Sequence, residues 1–515
     1  MEVEERESVR LEYTAGQAAA AKKRRRQDLV IDFLWNNLGY VRLVLLVVAL
    51  AWIAAIPHPR LWKGIFVDEH ALIPAGQRSY YDWGNVHKAD NYLAQLEELQ
   101  ARNASWDERR DYLMHEFRAA GADAYNTSHS VYGRIVPPRA EGTEAILLTA
   151  NWDSRDGGPN LRGVASLLSL VDFFRGQNHW AFEIIPVVGD GYLYGLEDFL
   201  KNYKLRANVW NALNLDYPGH SFERLGFFYE GVNGRLPNLD VLSTVSTVAR
   251  WKGGCPVTLH DAPAYPARIY TNGLKHLWRH FSYAALGRPS AAGGLLARHR
   301  IDALTLYGPP AEGPHGFHTL GMVVESTFRS FNTLLERLHA SFFFYLIPHP
   351  ENFIPVGHYL PAAVLLGASI TLGGFVCPAP LAGTFWALVP IALGVIGWIL
   401  QTPYVALAAP LLPRPRGAAR RSFNSLAHLA YGAMVPTLAM VNFPQAILLG
   451  LLSVVALAPV SRFIKIALVP VAIGALAGLK AAGIDLRGEW ELYGNLAWPA
   501  LFAVIIPLIA VSVMI

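Results

Sequence analysis

Residues 145–175 read AILLTANWDSRDGGPNLRGVASLLSLVDFFR. The first six form a short β-branched and apolar run of strand length, and 161–175 repeats apolar side chains at helical spacing. Between them lie Asn151-Trp152-Asp153-Ser154 and a turn, Gly157-Gly158-Pro159-Asn160. A strand that passes through such a turn into a helix is half of a βαβ unit. Similar strand-like runs occur at 182–188, 212–216 and 301–307, and helix-like runs at 91–102, 107–120, 236–249, 274–285 and 322–342. Strands alternating with helices predict an α/β domain with a mainly parallel sheet covered on both faces. Ligands of such sheets gather at the carboxyl ends of the strands. Those ends carry Asp153, then Gly189-Asp190-Gly191, then Asn214-Leu215-Asp216.

The chain around this domain is far more apolar. Of 515 residues 52% are hydrophobic and 16% charged, and the mean hydropathy is +0.24. Soluble domains are about 25% charged, so the composition speaks against a wholly soluble enzyme, and the length implies several units. Lys and Arg number 44 against 40 acidic residues, a net +4. That balance, with no zinc-finger or aromatic RNA-binding motif, speaks against a nucleic-acid partner. The two cysteines, Cys255 and Cys377, cannot build a disulfide framework or a Cys-rich zinc site.

Residues 1–37 are polar and contain Lys22-Lys23-Arg24-Arg25-Arg26. Residues 38–57 are expected to cross a membrane as a signal anchor, because a cleaved signal rarely follows so long a leader. A nuclear-localisation tract has the same basic composition, but beside a span the positive-inside rule accounts for it better. Apolar blocks return at 356–376, 381–401, 402–412, 426–442, 444–460, 464–481 and 494–515. Residues 378–412 hold one long helix or a tight pair, giving seven or eight spans in all. Eight puts Arg414, Arg416, Arg420, Arg421, Arg462 and Lys465 on the side of the N-terminal basic run and Asp485, Glu489 and Glu491 opposite, as that rule requires. No inward row of carboxylates or histidines marks a proton-driven transporter. Gly474 and Gly478 have the spacing that lets membrane helices approach closely, although an ordinary membrane helix carries it too.

The expected plan is a cytoplasmic tail at 1–37, a first span at 38–57, a lumenal α/β domain at 58–350 and a bundle of about seven helices at 351–515. Two sequons, at Asn103 and Asn126, fall in the lumenal part and are candidate glycosylation sites.

The strand-end residues resemble those of the two-zinc aminopeptidase fold, in which a His-x-Asp, an Asp-Asn, a Glu-Glu, a later Asp and a late His surround the metals. In this sequence Asp153, Asn160 and Asp216 fit that pattern. Asn151 stands where the resemblance implies the first histidine, Pro159 where it implies the metal-bridging Asp, and Gly189 where it implies the general-base Glu. Asp190 is shorter than the Glu it replaces, and His318 is the counterpart of the last histidine. Proline cannot bridge two metals, and glycine cannot activate water. No catalytic residue or cofactor is therefore assigned. Asp153, Asp190, Asp216 and His318 remain degenerate metal candidates, open to a single ion or to loop capping. Cys255, with His260 nearby in sequence, is a weak candidate for a nucleophile. Asp216 and His220 flank a Pro-Gly turn and read as turn-stabilising.

The chain as a whole is similar to the GPI-anchor attachment protein family, the large multi-spanning subunit of glycosylphosphatidylinositol (GPI) transamidase. The residues that carry the likeness are RSFNTLLERLHASFF at 329–343 with FYLIP at 344–348, VYGRI at 131–135, and FRGQ at 174–177 before Trp180-Ala181. The resemblance implies an endoplasmic-reticulum membrane complex that joins GPI to precursor proteins. It implies a cysteine-protease-like catalytic subunit elsewhere in that complex, and a non-enzymatic role here in presenting the GPI lipid and holding the complex together. The lipid-binding residues are not legible. The competing expectation is an active membrane metallohydrolase, or a metal-assisted amide-bond synthase, using the strand-end site. A helix through 322–344 is expected either to pack on the domain as an ordinary linker or to run into the membrane as a rigid strut.

Overall fold

The structure, a computed structural model, describes residues 36–76, 78–204, 207–263, 267–375 and 383–515. The basic run at 22–26 and Cys377 lie outside the described residues.

The chain enters through α1 (Leu38–Ala55), an apolar helix of 18 residues. At 1.5 Å per residue it is about 27 Å long, close to the ~30 Å of a hydrocarbon core. Eight strands follow in one sheet among the described residues: β2 (Asp123–Asn126), β3 (Ser130–Arg134), β4 (Glu144–Asn151), β5 (Glu183–Gly189), β6 (Asn208–Asp216), β7 (Leu225–Phe228), β8 (Val257–Leu259) and β9 (Asp302–Tyr307). Their order is β2-β3-β5-β4-β6-β9-β7-β8. The centre, β5-β4-β6-β9, is parallel. The flanking pairs β3/β5 and β9/β7 are antiparallel, so the sheet is mixed, with a parallel core.

The strand sequences explain the layering. Along β4, Ile146, Leu148 and Ala150 enter one apolar core and Ala145 and Leu147 enter another. A parallel strand buried on both faces needs apolar side chains at successive positions. Helices α2 (Trp83–Ala101), α3 (Trp106–Ala119), α4 (Leu161–Arg175), α5 (Tyr194–Asn202), α6 (Leu239–Trp251), α7 (Tyr270–Ala284) and α8 (Phe317–Phe331) surround the sheet. α2, α4, α6 and α8 share the first core, whereas α5 lies on the second.

The helix expected over 322–342 stops at Phe331. The Asn332 side chain turns back to the start of β5, accepting from the amides of Ala181 (2.7 Å) and Phe182 (3.2 Å) and donating to the His179 carbonyl (3.1 Å). Thr333 donates to the Ala71 carbonyl. These bonds compete with continued helix, so residues 332–344 are irregular and no helical strut leaves the domain. Residues 344–348 do not begin the next apolar helix either. Instead β10 (Tyr345–His349) pairs with β11 (Asn352–Pro355), which pairs with β1 (Lys63–Gly64). Of the aromatic cluster at 342–345, Phe342, Phe343 and Phe344 are exposed and Tyr345 is buried.

Among the described residues seven further helices follow: α9 (Val356–Thr371), α10 (Thr384–Ile399), α11 (Gly417–Ala439), α12 (Phe443–Leu457), α13 (Arg462–Ala481), α14 (Leu486–Tyr493) and α15 (Ala497–Met514). Four helices among the described residues are long and apolar enough to cross a membrane by length and composition: α1, α9 with its 3₁₀ extension to Gly374, α13 and α15. The ambiguous block at 402–412 is a 3₁₀ helix, Pro403–Leu411, folded back against α10. α9 packs on α1 and α11. Gly432 is needed there, because an added Cβ would lie 2.3 Å from Thr371 Oγ1 and 2.5 Å from its amide. An added Cβ at Gly474 or Gly478 would meet nothing within 4 Å, so their spacing joins no helix pair among the described residues.

α7 and α14 connect the two parts. The Tyr270 hydroxyl donates to the Ala54 carbonyl (2.9 Å), Phe281 meets Phe443 edge-on, and the Asn442 amide donates to the Ala284 carbonyl (2.7 Å). From α14, Tyr493 enters the second core of the sheet and Glu489 pairs with Arg288 at 2.6 Å.

Candidate functional site

Because β4, β5 and β6 run parallel, Asn151, Gly189 and Asp216 end side by side. The loop after β4 closes tightly: the amide of Asn160 donates to the Trp152 carbonyl and the Ser154 amide to the Gly158 carbonyl, both at 2.8 Å. Asn160 then works as a staple. Its amide donates to the carbonyls of Asn151 (3.0 Å) and Leu215 (2.9 Å), and its Oδ1 accepts from the Tyr217 amide (2.7 Å). Its side chain therefore does not cap α4. Asn160→Leu is expected to destabilise the fold by about 2–4 kcal/mol, since each buried group left unpaired costs roughly 1–3 kcal/mol. Thermal unfolding of the purified chain measures this.

The four metal candidates do not assemble. Asp153 is half-buried, and its carboxyl is raised by burial and by Asp190, with Arg109 opposing. Asp190 faces His129, whose Nδ1 lies 3.4 Å away. Asp216 is buried, and one of its oxygens accepts the Arg155 amide at 3.1 Å while the other has no partner. His318 stacks on the indole of Trp83, centroids 4.9 Å apart. Among the described residues no three His, Cys, Asp or Glu side chains gather closely enough to hold a metal.

A two-zinc centre does not fit the strand ends. A Cβ on Gly189 would lie 2.6 Å from Asn151 Oδ1 and 3.0 Å from the Leu196 amide, so no side chain can stand where a general base is required. Pro159 offers no bridging carboxylate. At the strand ends themselves the Asn151 amide and one Asp216 oxygen are buried without partners among the described residues, a donor set with a single carboxylate oxygen that is ill-suited to zinc.

Burial pushes the Asp216 carboxyl up to about 6, against opposing hydrogen bonds from Ser154 and Arg155. A folded pKa above the unfolded one means that Asp216 favours the fold at low pH, and the benefit fades as pH rises from about 4 through about 6. Asp216→Asn is expected to stabilise the chain by about 1–3 kcal/mol at neutral pH, given ~1.4 kcal/mol per pKa unit. The gain should vanish below about pH 4. Unfolding curves across pH read this directly.

A second cluster was not anticipated from the sequence. Glu230, just past β7, is fully buried. His260 Nε2 reaches both its oxygens at 3.0 Å, and His280 Nδ1 reaches one of them at 3.0 Å. Burial drives this carboxyl upward, but the two imidazoles outweigh it and hold it well below the usual carboxylate range. Tyr229 stacks on His280. The sequence signal was a lone carboxylate in the aromatic run Phe227-Phe228-Tyr229-Glu230. His260 is thus engaged with Glu230. The Cys255 thiol is buried, contacts the Pro256 carbonyl at 3.6 Å and is pushed up to about 12 by burial, the opposite of an activated nucleophile. Asp216 and His220 do flank a bonded turn: the Tyr217 hydroxyl donates to the His220 carbonyl at 2.5 Å.

A family model described as Gaa1-like, GPI transamidase component, matches residues 127–384. The GPI transamidase component gaa1 of Schizosaccharomyces pombe is 31% identical over 387 residues, covering 68% of this chain and 66% of that protein. The GPI transamidase component GAA1 of Saccharomyces cerevisiae is 30% identical over 341 residues, covering 62% and 54%. The matched part thus spans just under two thirds and about half of these relatives. Among solved structures, the glutaminyl cyclase of Fimbriiglobus ruber covers 50% of this chain and 98% of its own at 14% identity and a TM-score of 0.35. A zinc aminopeptidase of Bacillus subtilis covers 42% and 52% at 12% identity and a TM-score of 0.27.

Proposed function

Because this chain belongs to the Gaa1-like family of GPI transamidase components, we propose that it is a non-catalytic subunit of that complex, presenting GPI lipid and scaffolding the subunits that act on precursor proteins. The observation that carries the non-catalytic reading is the closed space at Gly189. Bond cleavage then belongs to a separate, cysteine-protease-like subunit. The proposed setting is the endoplasmic-reticulum membrane, with the N-terminus cytoplasmic, the α/β domain lumenal and eight crossings. Charge supports that orientation. Arg414 and Arg462 bond to the carbonyls of Ile515 (2.9 Å) and Pro410 (2.9 Å) at one end of the helices, whereas Glu489 pairs with Arg288 of the α/β domain at the other.

Complementation of null cells tests the function. The chain should clear precursors with uncleaved GPI signals and co-purify with a cysteine-protease-like partner. Asp153→Asn with Asp190→Asn should do so as well as the native chain. Normal GPI attachment in the null cell would refute the reading. Loss of attachment by the double variant at normal abundance would favour a metallohydrolase instead.

Asn103 and Asn126 are both exposed, at the end of α2 and of edge strand β2, and we propose that both carry N-glycans. Endoglycosidase treatment should increase gel mobility, and Asn103→Gln and Asn126→Gln should each remove one step of that shift. An unchanged band would place the domain outside the lumen or leave the sequons unused.

A further inference from the structure

A cavity of about 440 Å³ lies where the α/β domain meets the helices. Its lining includes Arg235, Arg300 and Arg337, with His280 and a single carboxylate, Asp302. Asp302 is already engaged, accepting the Asn238 amide at 2.9 Å. Arg235 is held in place by donating to the carbonyls of Ala297 (3.4 Å) and Arg298 (3.1 Å). Arg300 and Arg337 are exposed and make no direct ion pair among the described residues, while the charge of Arg337 acts on the nearby Asp302 carboxyl. The same lining is apolar and aromatic at Phe343 and Phe344 ahead of β10, at Tyr359 in the first turn of α9, and at Phe443 at the start of α12. Tyr359 and Phe443 are 4.6 Å apart.

Three guanidiniums around one cavity, with one carboxylate among them, leave positive charge suited to phosphate oxygens. A soluble phosphate would leave the aromatic wall unused. A ligand that carries both a phosphate and hydrocarbon engages both kinds of lining, and aromatic side chains are stable at a membrane's polar boundary.

We propose that this junction cavity binds the phosphate-bearing headgroup of a membrane lipid, the phosphate on Arg300, Arg337 and Arg235 and the first carbons of its apolar part on Phe343, Phe344, Tyr359 and Phe443. The inference deepens the functional reading above and rests on its lipid-presenting role.

The test uses the full chain in phosphatidylcholine vesicles containing a trace of photoactivatable phosphatidylinositol. Labelled peptides should map to 337–346 and 439–444. Arg300→Glu with Arg337→Glu should lower that labelling about tenfold, the effect of ~1.4 kcal/mol in binding, while Arg416→Glu at the far end leaves it unchanged. The thermal midpoint of the double variant should match the native chain. A measurement on the native chain alone guards against misfolding: a phosphate-free photoactivatable diacylglycerol should label the cavity far less. Equal labelling by the two lipids, or labelling confined to other helices, overturns the proposal. Abolition by millimolar inorganic phosphate would make the site one for a soluble anion, and also overturns it. Complementation of null cells is read separately, so a failed vesicle assay leaves the subunit role standing, and failed complementation does not depend on labelling.

Discussion

Glu230→Ala is expected to destabilise the chain by about 3–5 kcal/mol, the usual cost of removing one partner from a buried ion pair. Glu230 has no exposed surface and is bonded to His260 and His280. Its removal leaves two buried imidazoles without an acceptor and opens a void under Tyr229. The consequence extends beyond the α/β domain, because His280 lies on α7, the helix that touches α1 and α12. Urea unfolding should therefore show loss of stability together with weaker protection of the 270–284 backbone from hydrogen exchange. Replacing all three residues, Glu230→Leu with His260→Phe and His280→Phe, should recover part of the loss, since an apolar substitute for a whole buried ionic cluster is often neutral.

The pH dependence has a definite sign. The folded Glu230 carboxyl is held below its unfolded value by the imidazoles. Its contribution is thus full above the ordinary carboxylate range and is lost progressively as pH falls from that range through the depressed folded value. The stability gap between native and Glu230→Ala chains should stay level from pH 8 to about 5 and close in stronger acid. A gap that closes nearer pH 7 would mean that histidine titration governs the cluster.

Gly189→Glu, the substitution that would restore the missing base of the aminopeptidase pattern, should instead cost about 3 kcal/mol or more. The steric cost alone is roughly 1–3 kcal/mol for overpacking. Here the obstacles include backbone: the Leu196 amide at 3.0 Å and the Gly195 carbonyl carbon at 3.1 Å from an added Cβ. Burying a carboxylate there adds a desolvation penalty of several kcal/mol. The variant should lose thermal stability and bind no zinc. Adding Pro159→Asp and Asn151→His should not rescue it, because α5 follows directly and already occupies the space. Stoichiometric zinc in a well-folded triple variant, measured by elemental analysis, would show that the strand ends still hold a metal-sized opening.

Much of the α/β domain was legible because parallel strands buried on two faces need continuous apolar runs. The runs at 145–150, 182–188, 212–216 and 301–307 all became central strands, and 161–175 became α4 unchanged. The flanking strands β2, β7 and β8 were not seen, being three or four residues long and lacking a period to read. The 322–344 stretch misled because apolar spacing persists past Phe331. The bonds that end the helix there come from Asn332 reaching residues about 150 positions earlier, which no local pattern encodes.

For the candidate site, residue types alone excluded a bridging carboxylate at Pro159 and a base at Gly189. The sequence by itself also determined which blocks are apolar enough to leave water and which strand ends would line up, since both follow from hydropathy and strand period. Tertiary structure decided what those ends became. Only packing turns Asn160 into a staple, sends His318 onto Trp83 and brings Glu230 between His260 and His280. Only packing seats Tyr493 against a sheet whose strands end almost 200 residues earlier and leaves three arginines around one cavity. Each of these depends on side chains distant in sequence meeting in space, and on what burial then does to their charges.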